Sequence, residues 1–572
     1  MKLAIIHKEK CRPTACGKEC KKYCPVEKKE SDSCITIENK AKINEKTCIG
    51  CGICQKRCPF GAIEIINLPS IKEEDLIYRY EENGFALYGL PTPKEGSVLG
   101  LLGRNGIGKS TAIKILSGQE KINFGKETDK KEILDYFQGS ELRNYFAGLE
   151  QKKISYKPQN LSKLSQNVKV VDLLKQFGKE NKIRELAKEL NIERILENKM
   201  NTLSGGELQK TAILTASLKP ADAYFFDEPL AYLDINERIR VSDFIKKISE
   251  GKTLIVVEHD LLILDYLTDS INVFFGSPGA FGLVSGVKTS KYGINSYLQG
   301  FLKEENLRIR EKELNFNFTK NPQTNGHKIA TWPSFNVQFK EGFRLNVKEG
   351  SIYQNQVIGI LGKNGTGKST FVKALIGETQ TDIGKIKLDL KISYKPQYLF
   401  TESEETIRDI CFKEKINKKI SSLFNLGVLQ QKKLKELSGG ELQRFSIARC
   451  LTKDADVYFL DEPSAYLDVE ERVSSAKAIK EIINEKQKTA FVVDHDLLLI
   501  SYLADSIINF EGESGIEGIS SEEKNFEEGI SDLLKSLDIT LRKDKETGRP
   551  RINKKNSVLD REQKEKEKWA VF

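Results

Sequence analysis

The sequence predicts an α/β chain: a small cysteine-bound module, followed by one nucleotide-binding α/β domain present twice. Three observations predict this. Nine of the eleven cysteines fall within the first 58 residues. The phosphate-loop pattern G-x-x-x-x-G-K-S occurs at 103–110 and again at 362–369. Each loop is followed by the same motifs in the same order, which marks an internal repeat.

A length of 572 residues, 39% apolar and 30% charged, fits several packed domains with well-solvated surfaces. No stretch approaches the roughly 18 apolar residues of a membrane span. The longest apolar runs, such as TLIVV and KTAFVV, are strand-sized. MKLAIIHKEK has no signal-peptide pattern, because charge follows a short apolar run at once. A cytoplasmic protein is therefore expected, with no membrane partner. The net charge of +9 permits an anionic partner without requiring one.

The cysteine module comes first. Cys48, Cys51, Cys54 and Cys58, the last followed by Pro59, read C-x2-C-x2-C-x3-C-P. Three thiolates at that spacing wrap one [4Fe–4S] cube, and the fourth turns to a second cluster. Cys11, Cys16, Cys20 and Cys24, the last before Pro25, form a looser version of the run. The crossed arrangement assigns Cys24, Cys48, Cys51 and Cys54 to one cluster, and Cys11, Cys16, Cys20 and Cys58 to the other. Cys34 is left over. Zinc is the competing reading, but it needs only four ligands and no pair of Cys-Pro endings. The stretch CITIENKAKINEK is expected to form a hairpin. Residues 1–70 hold 14 Lys/Arg against 8 Asp/Glu, an excess that suits docking on an anionic surface. Cys411 and Cys450 stand alone in apolar surroundings and read as packing residues.

In the repeat, each element has a physical task. The loops Gly103, Asn105, Gly106, Gly108, Lys109, Ser110, Thr111 and Gly362, Asn364, Gly365, Gly367, Lys368, Ser369, Thr370 follow apolar strands. Their backbone N–H groups and the helices they open favour phosphate. Lys109 and Lys368 are placed to reach the β/γ-phosphates, and Ser110 and Ser369 to ligate Mg²⁺. AYFFDE and VYFLDE end apolar strands in two acids. Asp227 and Asp461 are expected to hold Mg²⁺, and Glu228 and Glu462 to polarise the attacking water. His259 and His495 follow further apolar strands, at the sheet edge where α/β ligands bind. Gln159 and Gln397, each in SYKPQ, are placed to sense the metal and the water. Phe85 or Tyr88 is expected to stack on adenine in the first site.

With LSGGE at 203–207 and 437–441, the set resembles the ATP-binding cassette (ABC) domain. The resemblance implies that the two cassettes pair head to tail within one monomer. Site one would then add Ser438 and Gly440 of the second cassette, and site two Ser204 and Gly206 of the first. Asp234 and Asp468, in AYLD, would lie across the interface.

The cassettes are not equal. From Gly103 to Gln159 is 56 residues, but from Gly362 to Gln397 only 35. The first copy thus carries an insert near 126–150, read as helix–loop–helix with Ser140 as an N-cap. Its paired Tyr and Phe residues are expected to form a contact surface. Leu230 stands where the second copy has Ser464, Glu258 where it has Asp494, and Lys210 where it has Arg444. Lys cannot reproduce a bidentate guanidinium contact.

CIGCGICQKRCPFGAI, NGIGKST, GSELRNYF, EPSAYLD, the Gly- and aromatic-rich segment 276–310 and GRPRINKKNS together resemble the E-type ABC proteins, the ribosome-recycling or RNase L inhibitor family. F-type factors lack the cysteine module. The resemblance implies a ferredoxin-like domain at 1–75, a first ABC domain at 76–300, a hinge at 276–310, a second ABC domain at 311–535 and a basic hinge at 536–572. It implies an ATPase with ATP, Mg²⁺ and two [4Fe–4S] clusters. Such an enzyme would split ribosomes after termination and stay on the small subunit. The expected partners are ribosomal RNA, a peptide release factor and initiation factors. The alternative is an ATPase of iron–sulfur delivery or electron transfer. The tail 541–555 has seven Lys/Arg against two acids, and Arg549 with Arg551 is expected to meet RNA.

Overall fold

The computed structural model describes residues 2–28, 33–67, 75–161, 164, 167–314, 316, 326–339, 342–397 and 402–571.

Two sheets of nine strands have the same order. In the first, Leu76–Arg79, Ala86–Tyr88, Phe281–Val284, Ser270–Ser277, Val98–Leu102, Thr253–Val257, Ala223–Asp227 and Ile154–Lys157 are neighbours in that sequence. In the second the order is Phe335–Gln338, Arg344–Val347, Glu517–Ser520, Ser506–Glu511, Val357–Gly362, Thr489–Val493, Val457–Asp461 and Ile392–Lys395. The last five strands of each series are parallel. VLGLL, AYFFD and TLIVV are buried throughout, as strands covered on both faces must be. The phosphate loops and acid pairs therefore stand together at the carboxyl ends of neighbouring strands.

The cysteine module is a strand pair, Lys2–Ile6 with Ile63–Asn67, beside two short helices. The expected hairpin is Ile35–Ile37 with Ala41–Ile43. Asn83 docks the module on the first cassette. This residue is buried at φ 60° between two cassette strands. Its side chain donates to Ala4 O (3.1 Å) and Ile43 O (2.9 Å) and accepts from Ile43 N (2.8 Å). Beside it the Arg79 guanidinium forks onto Glu45 at 2.7 and 2.6 Å.

The insert is two helices, Lys130–Tyr136 and Glu141–Ala147. Its aromatics do not form the expected contact surface. Phe137, Tyr145 and Phe146 are buried against the cassette, and the Tyr145 hydroxyl donates to Leu116 O at 2.7 Å. Tyr136 alone of these rings is exposed. Ser140 occupies the N-cap, but its hydroxyl donates backward to Phe137 O.

The tail also departs from expectation. Leu541–Lys543, Pro550–Ile552 and Ala570–Val571 form a small sheet, and its edge strand Pro550–Ile552 packs on helix Leu261–Leu267 of the first cassette. Arg549 is 0% exposed, and burial pushes its guanidinium below the usual range. It reaches Asp265 at 3.1 Å and Asn295 at 3.2 Å. Arg551 forks onto the same Asp265 at 2.5 and 3.1 Å. The pair fastens the tail to the cassette and is not presented to RNA.

Candidate functional site

The first site opens as a cleft of about 430 Å³ at the sheet's carboxyl edge. Gly108 ends the phosphate loop at φ 93°, and a Cβ there would stand 2.8 Å from the Phe85 ring. Glycine thus serves both the left-handed turn and the approach of the ring. Tyr80 and Phe85 line the cleft and offer faces for a base. Tyr88, the other expected stacking residue, is instead packed in the core between cassette and module. In the second cassette Phe343 takes the place of Phe85 beside Gly367. The signal for it was the repeated Gly-Phe dipeptide, Gly84-Phe85 and Gly342-Phe343.

Lys109 is buried, and its Nζ donates to Gly103 O (2.8 Å) and Arg104 O (2.5 Å). Lys368 repeats this with Gly362 O (2.9 Å) and Lys363 O (2.6 Å). Burial pushes both ammonium groups down to about 8. Such loops are closed on themselves and hold charge that phosphate would stabilise.

Ser110 Oγ donates to Asp227 Oδ2 at 2.9 Å. In the second site both Asp461 carboxylate oxygens are buried without a hydrogen-bond partner. Burial raises both aspartates above the usual carboxylate range. A buried hydroxyl–carboxylate pair of oxygen donors suits Mg²⁺, which would satisfy the orphaned oxygens.

The next acid is gripped by the expected partners. Gln159 Nε2 donates to Glu228 Oε1, and Gln397 Nε2 to Glu462 Oε1, both at 2.8 Å. His259 Nε2 lies 3.3 Å from Glu228 Oε1, and His495 Nε2 lies 3.7 Å from Glu462 Oε1. Neither imidazole nitrogen is aligned for a hydrogen bond. Burial would raise Glu228, but His259, Lys109 and Gln159 outweigh it and bring the carboxyl down to about 2. Glu462 is raised by burial and by the neighbouring charges of Asp494 and Asp461. Burial, with Lys368 and Arg238, pushes His495 well below the usual imidazole range.

The two sites meet through the AYLD loops. Asp468 Oδ2 accepts from Asn105 N at 3.0 Å, and Asp234 Oδ2 accepts from Asn364 N at 2.7 Å. Each phosphate loop is thus held by the opposite cassette. Ser204 and Ser438 cap their own helices in boxes with Glu207 and Glu441. Both serines are exposed, as are their neighbours Gly205 and Gly439, and Gly206 and Gly440 are half-buried beside their own AYLD loops. Each signature loop thus stands beside the AYLD loop of its own cassette, the loop that reaches the opposite phosphate loop.

In the module all described thiols are free. Cys24, Cys48, Cys51 and Cys54 line one cavity, and Cys34 lines it too. Burial and the neighbouring Cys48, Cys51 and Cys24 push the Cys54 thiol up to about 12. Burial and Cys58, Cys16 and Cys11 push Cys20 up to about 11. The two groups are those the spacing assigns. Among the described residues no three metal-binding side chains close on the point one ion needs. The thiols ring a space instead, which suits a polynuclear group. Crowded, buried thiols ionise when iron supplies the opposing charge.

Comparison with known proteins agrees with this architecture. The ABC transporter family matches residues 92–231 and 345–465. The 4Fe-4S binding domain matches 41–64, and the possible Fer4-like domain in RNase L inhibitor matches 1–29. ABC transporter E family member 1 of Arabidopsis thaliana is 40% identical over 98% of this chain and 97% of its own. A model of ribosome-bound archaeal Pelota and ABCE1 aligns with a TM-score of 0.94 at 42% identity, covering 100% of this chain and 99% of that one. A complex of archaeal ribosomal stalk protein aP1 with archaeal ribosome recycling factor aABCE1 aligns at 0.84 and 43%, covering 88% and 100%. Among the described residues no helix is long and apolar enough to cross a membrane. Two tandem cassettes behind an iron–sulfur module, matched from end to end, place the chain in the E family of ATP-binding cassette proteins, the RNase L inhibitor family.

Proposed function

We propose that the chain is an ATP-driven ribosome recycling factor, which separates ribosomal subunits after termination in the cytoplasm and stays on the small subunit. The observation that carries this reading is the reciprocal hold of Asp468 on Asn105 and Asp234 on Asn364, with the module pinned to one of the two cassettes. A change at either phosphate loop is then felt by the other cassette and can move the module.

The reaction is hydrolysis of ATP to ADP and phosphate. Lys109 and Lys368 would leave their loop carbonyls for the β/γ-phosphates, and Ser438 with Gly440, and Ser204 with Gly206, would close on them from across the interface. Ser110 with Asp227, and Ser369 with Asp461, would hold Mg²⁺, which would neutralise phosphate charge. Glu228 and Glu462 orient the attacking water, held in place by Gln159 and Gln397, while His259 and His495 would contact the γ-phosphate. Cys24, Cys48, Cys51 and Cys54 would hold one [4Fe–4S] cluster and Cys11, Cys16, Cys20 and Cys58 a second, and these would cross-link and stiffen a module with little core of its own. A stiff module transmits cassette closure as a push against the ribosome.

Sucrose-gradient analysis of post-termination ribosomes tests this. With the chain, a peptide release factor and ATP, monosomes should convert to subunits, with the chain on the small subunit. Monosomes that persist in its presence would overturn the reading.

A further inference from the structure

Lys157 and Lys395, the lysines of the repeated SYKPQ segment, place charge where the fold admits almost no water. Each is 1% exposed. Each ends a strand that runs parallel to the acid-bearing strand, in register with Phe226 and Leu460. Among the described residues neither ammonium bonds to a carboxylate; both take main-chain carbonyls. Lys157 Nζ donates to the main-chain carbonyls of Asp227 (2.8 Å) and Glu228 (3.0 Å). Lys395 Nζ donates to those of Asp461 (2.6 Å) and Glu462 (3.3 Å). Burying an ammonium group is costly, and an apolar residue would fill the space without that cost. The same contact nevertheless stands in both cassettes.

What the lysines hold is a strained turn. Glu228 and Glu462 sit at φ 47° and 46°, in the left-handed region. A glutamate stays there only when its surroundings over-determine it. The Glu228 carbonyl also accepts from Gln209 Nε2 of the signature helix at 2.5 Å, and the Glu462 carbonyl from Gln443 Nε2 at 2.5 Å. On the other side Glu228 N donates to Val257 O at 3.0 Å, and Glu462 N to Val493 O at 2.7 Å. Three elements thus clamp the backbone of one residue on both sides, and its side chain is aimed at Gln159 or Gln397. That glutamine follows the lysine by two residues, so one loop grips both the backbone and the carboxylate of the acid.

We propose that Lys157 and Lys395 are positioning residues of the ATPase: their ammonium groups hold the carbonyls of the Asp–Glu pair and keep each strained glutamate pointed at the attacking water. The inference rests on the reading of Glu228 and Glu462 as the water-orienting acids.

The test uses the full-length, cluster-loaded chain with Lys157→Met and Lys395→Met together. Turnover should fall about tenfold to a hundredfold, the range of effects of a misplaced reacting group. The dissociation constant of a fluorescent ATP analogue should stay within about twofold, because no phosphate contact is lost. Lys157→Gln with Lys395→Gln keeps a donor without the charge, and should give an intermediate turnover at the same affinity. Should the methionine pair not fold, the glutamine pair is judged alone, and a fall in turnover at unchanged affinity is required of it. Parental turnover in the folded variants overturns the proposal. So does a parallel loss of turnover and affinity, which is what a merely structural lysine would give. Glu228→Gln with Glu462→Gln, measured alongside, separates the two readings. Turnover surviving there removes the acids' role, whereas turnover lost there but intact in the lysine variants removes the clamp alone.

Discussion

The two cassettes share a strand order, a phosphate loop and a set of acids, and they differ in the layer directly behind those acids. In the second cassette Ser464 donates to Asp494 twice, from Oγ at 2.7 Å and from its backbone N at 2.9 Å. In the first, Leu230 is buried in apolar core, and Glu258 Oε2 is buried without a partner. The Leu/Ser and Glu/Asp differences are therefore one linked change. A shorter acid sits where a serine can reach it, and a longer acid beside leucine keeps an unsatisfied oxygen. Of the neighbouring glutamates, Glu228 is brought down to about 2 against burial by His259, Lys109 and Gln159, and Glu462 is raised by burial and then by Asp494 and Asp461. The acid of this layer thus reaches the catalytic glutamate of the second site, through the charge of Asp494.

The third difference closes up. Lys210 reaches Glu237 at 2.8 Å, while Arg444 donates to Phe424 O and lies 3.3 Å from Glu471, the corresponding acid. No fork forms at Arg444, so lysine serves the same acid without loss of one. A fourth difference lies in the helices after His259 and His495. Asp265 of the first cassette takes Arg549 and Arg551, whereas the matching Ser501 bonds its own helix at Leu497 O. The arginine pair therefore fastens the tail to the first cassette through an acid that the second cassette lacks, while the last tail strand, Ala570–Val571, packs on helix Phe526–Ser536.

What the cassettes share is tested by the largest effect. Glu228→Gln with Glu462→Gln should lower ATP turnover about 10²-fold or more, because a positioned base contributes on that order. Nucleotide binding, read by equilibrium dialysis, should remain. Turnover near the parental rate would break the common part of the comparison.

The arginine pair on Asp265 gives the next effect. Arg549→Ala leaves Asp265 buried with Arg551 alone, and removing one partner of a buried pair costs about 3 kcal/mol. The first unfolding transition in denaturant should move accordingly, while Lys545→Ala, on an exposed position of the same tail, should leave it unmoved. Equal behaviour of the two variants would contradict the fastening.

Smaller still is the insert that only the first cassette carries. Tyr145→Phe removes the hydrogen bond to Leu116 O and should cost about 1 kcal/mol, with turnover unchanged. A change in turnover without a change in stability would mean that the insert touches the site.

The sequence was most legible where a motif demands specific chemistry. The phosphate loops, the acid pairs, Gln159, Gln397 and the two cysteine groups stand where their spacing put them. The insert was legible as two helices, but Tyr145 and Phe146 read as surface and are buried, since neighbours on a short helix can pack on two sides of one groove. The tail misled for a related reason: a run of lysine and arginine looks solvated, and only the exchange of Asp265 for Ser501 hinted at a buried partner. Lys157 and Lys395 gave no separate signal, because a buried ammonium held by carbonyls has no sequence pattern. Cys34 was left unassigned by spacing and lies on the cavity of the Cys24 group.

The inequality of the two sites is tested most directly by single-turnover hydrolysis with one site active at a time. Glu462→Gln leaves site one, and Glu228→Gln leaves site two. Leu230→Ser with Glu258→Asp, added to the Glu462→Gln chain, gives site one the layer of site two. The two single variants should differ in rate by about fivefold, the factor that one net hydrogen bond of about 1 kcal/mol is worth. The graft should then bring the rate of site one to that of site two. Equal rates at the two sites, or a graft that leaves the rate of site one unmoved, would contradict the account.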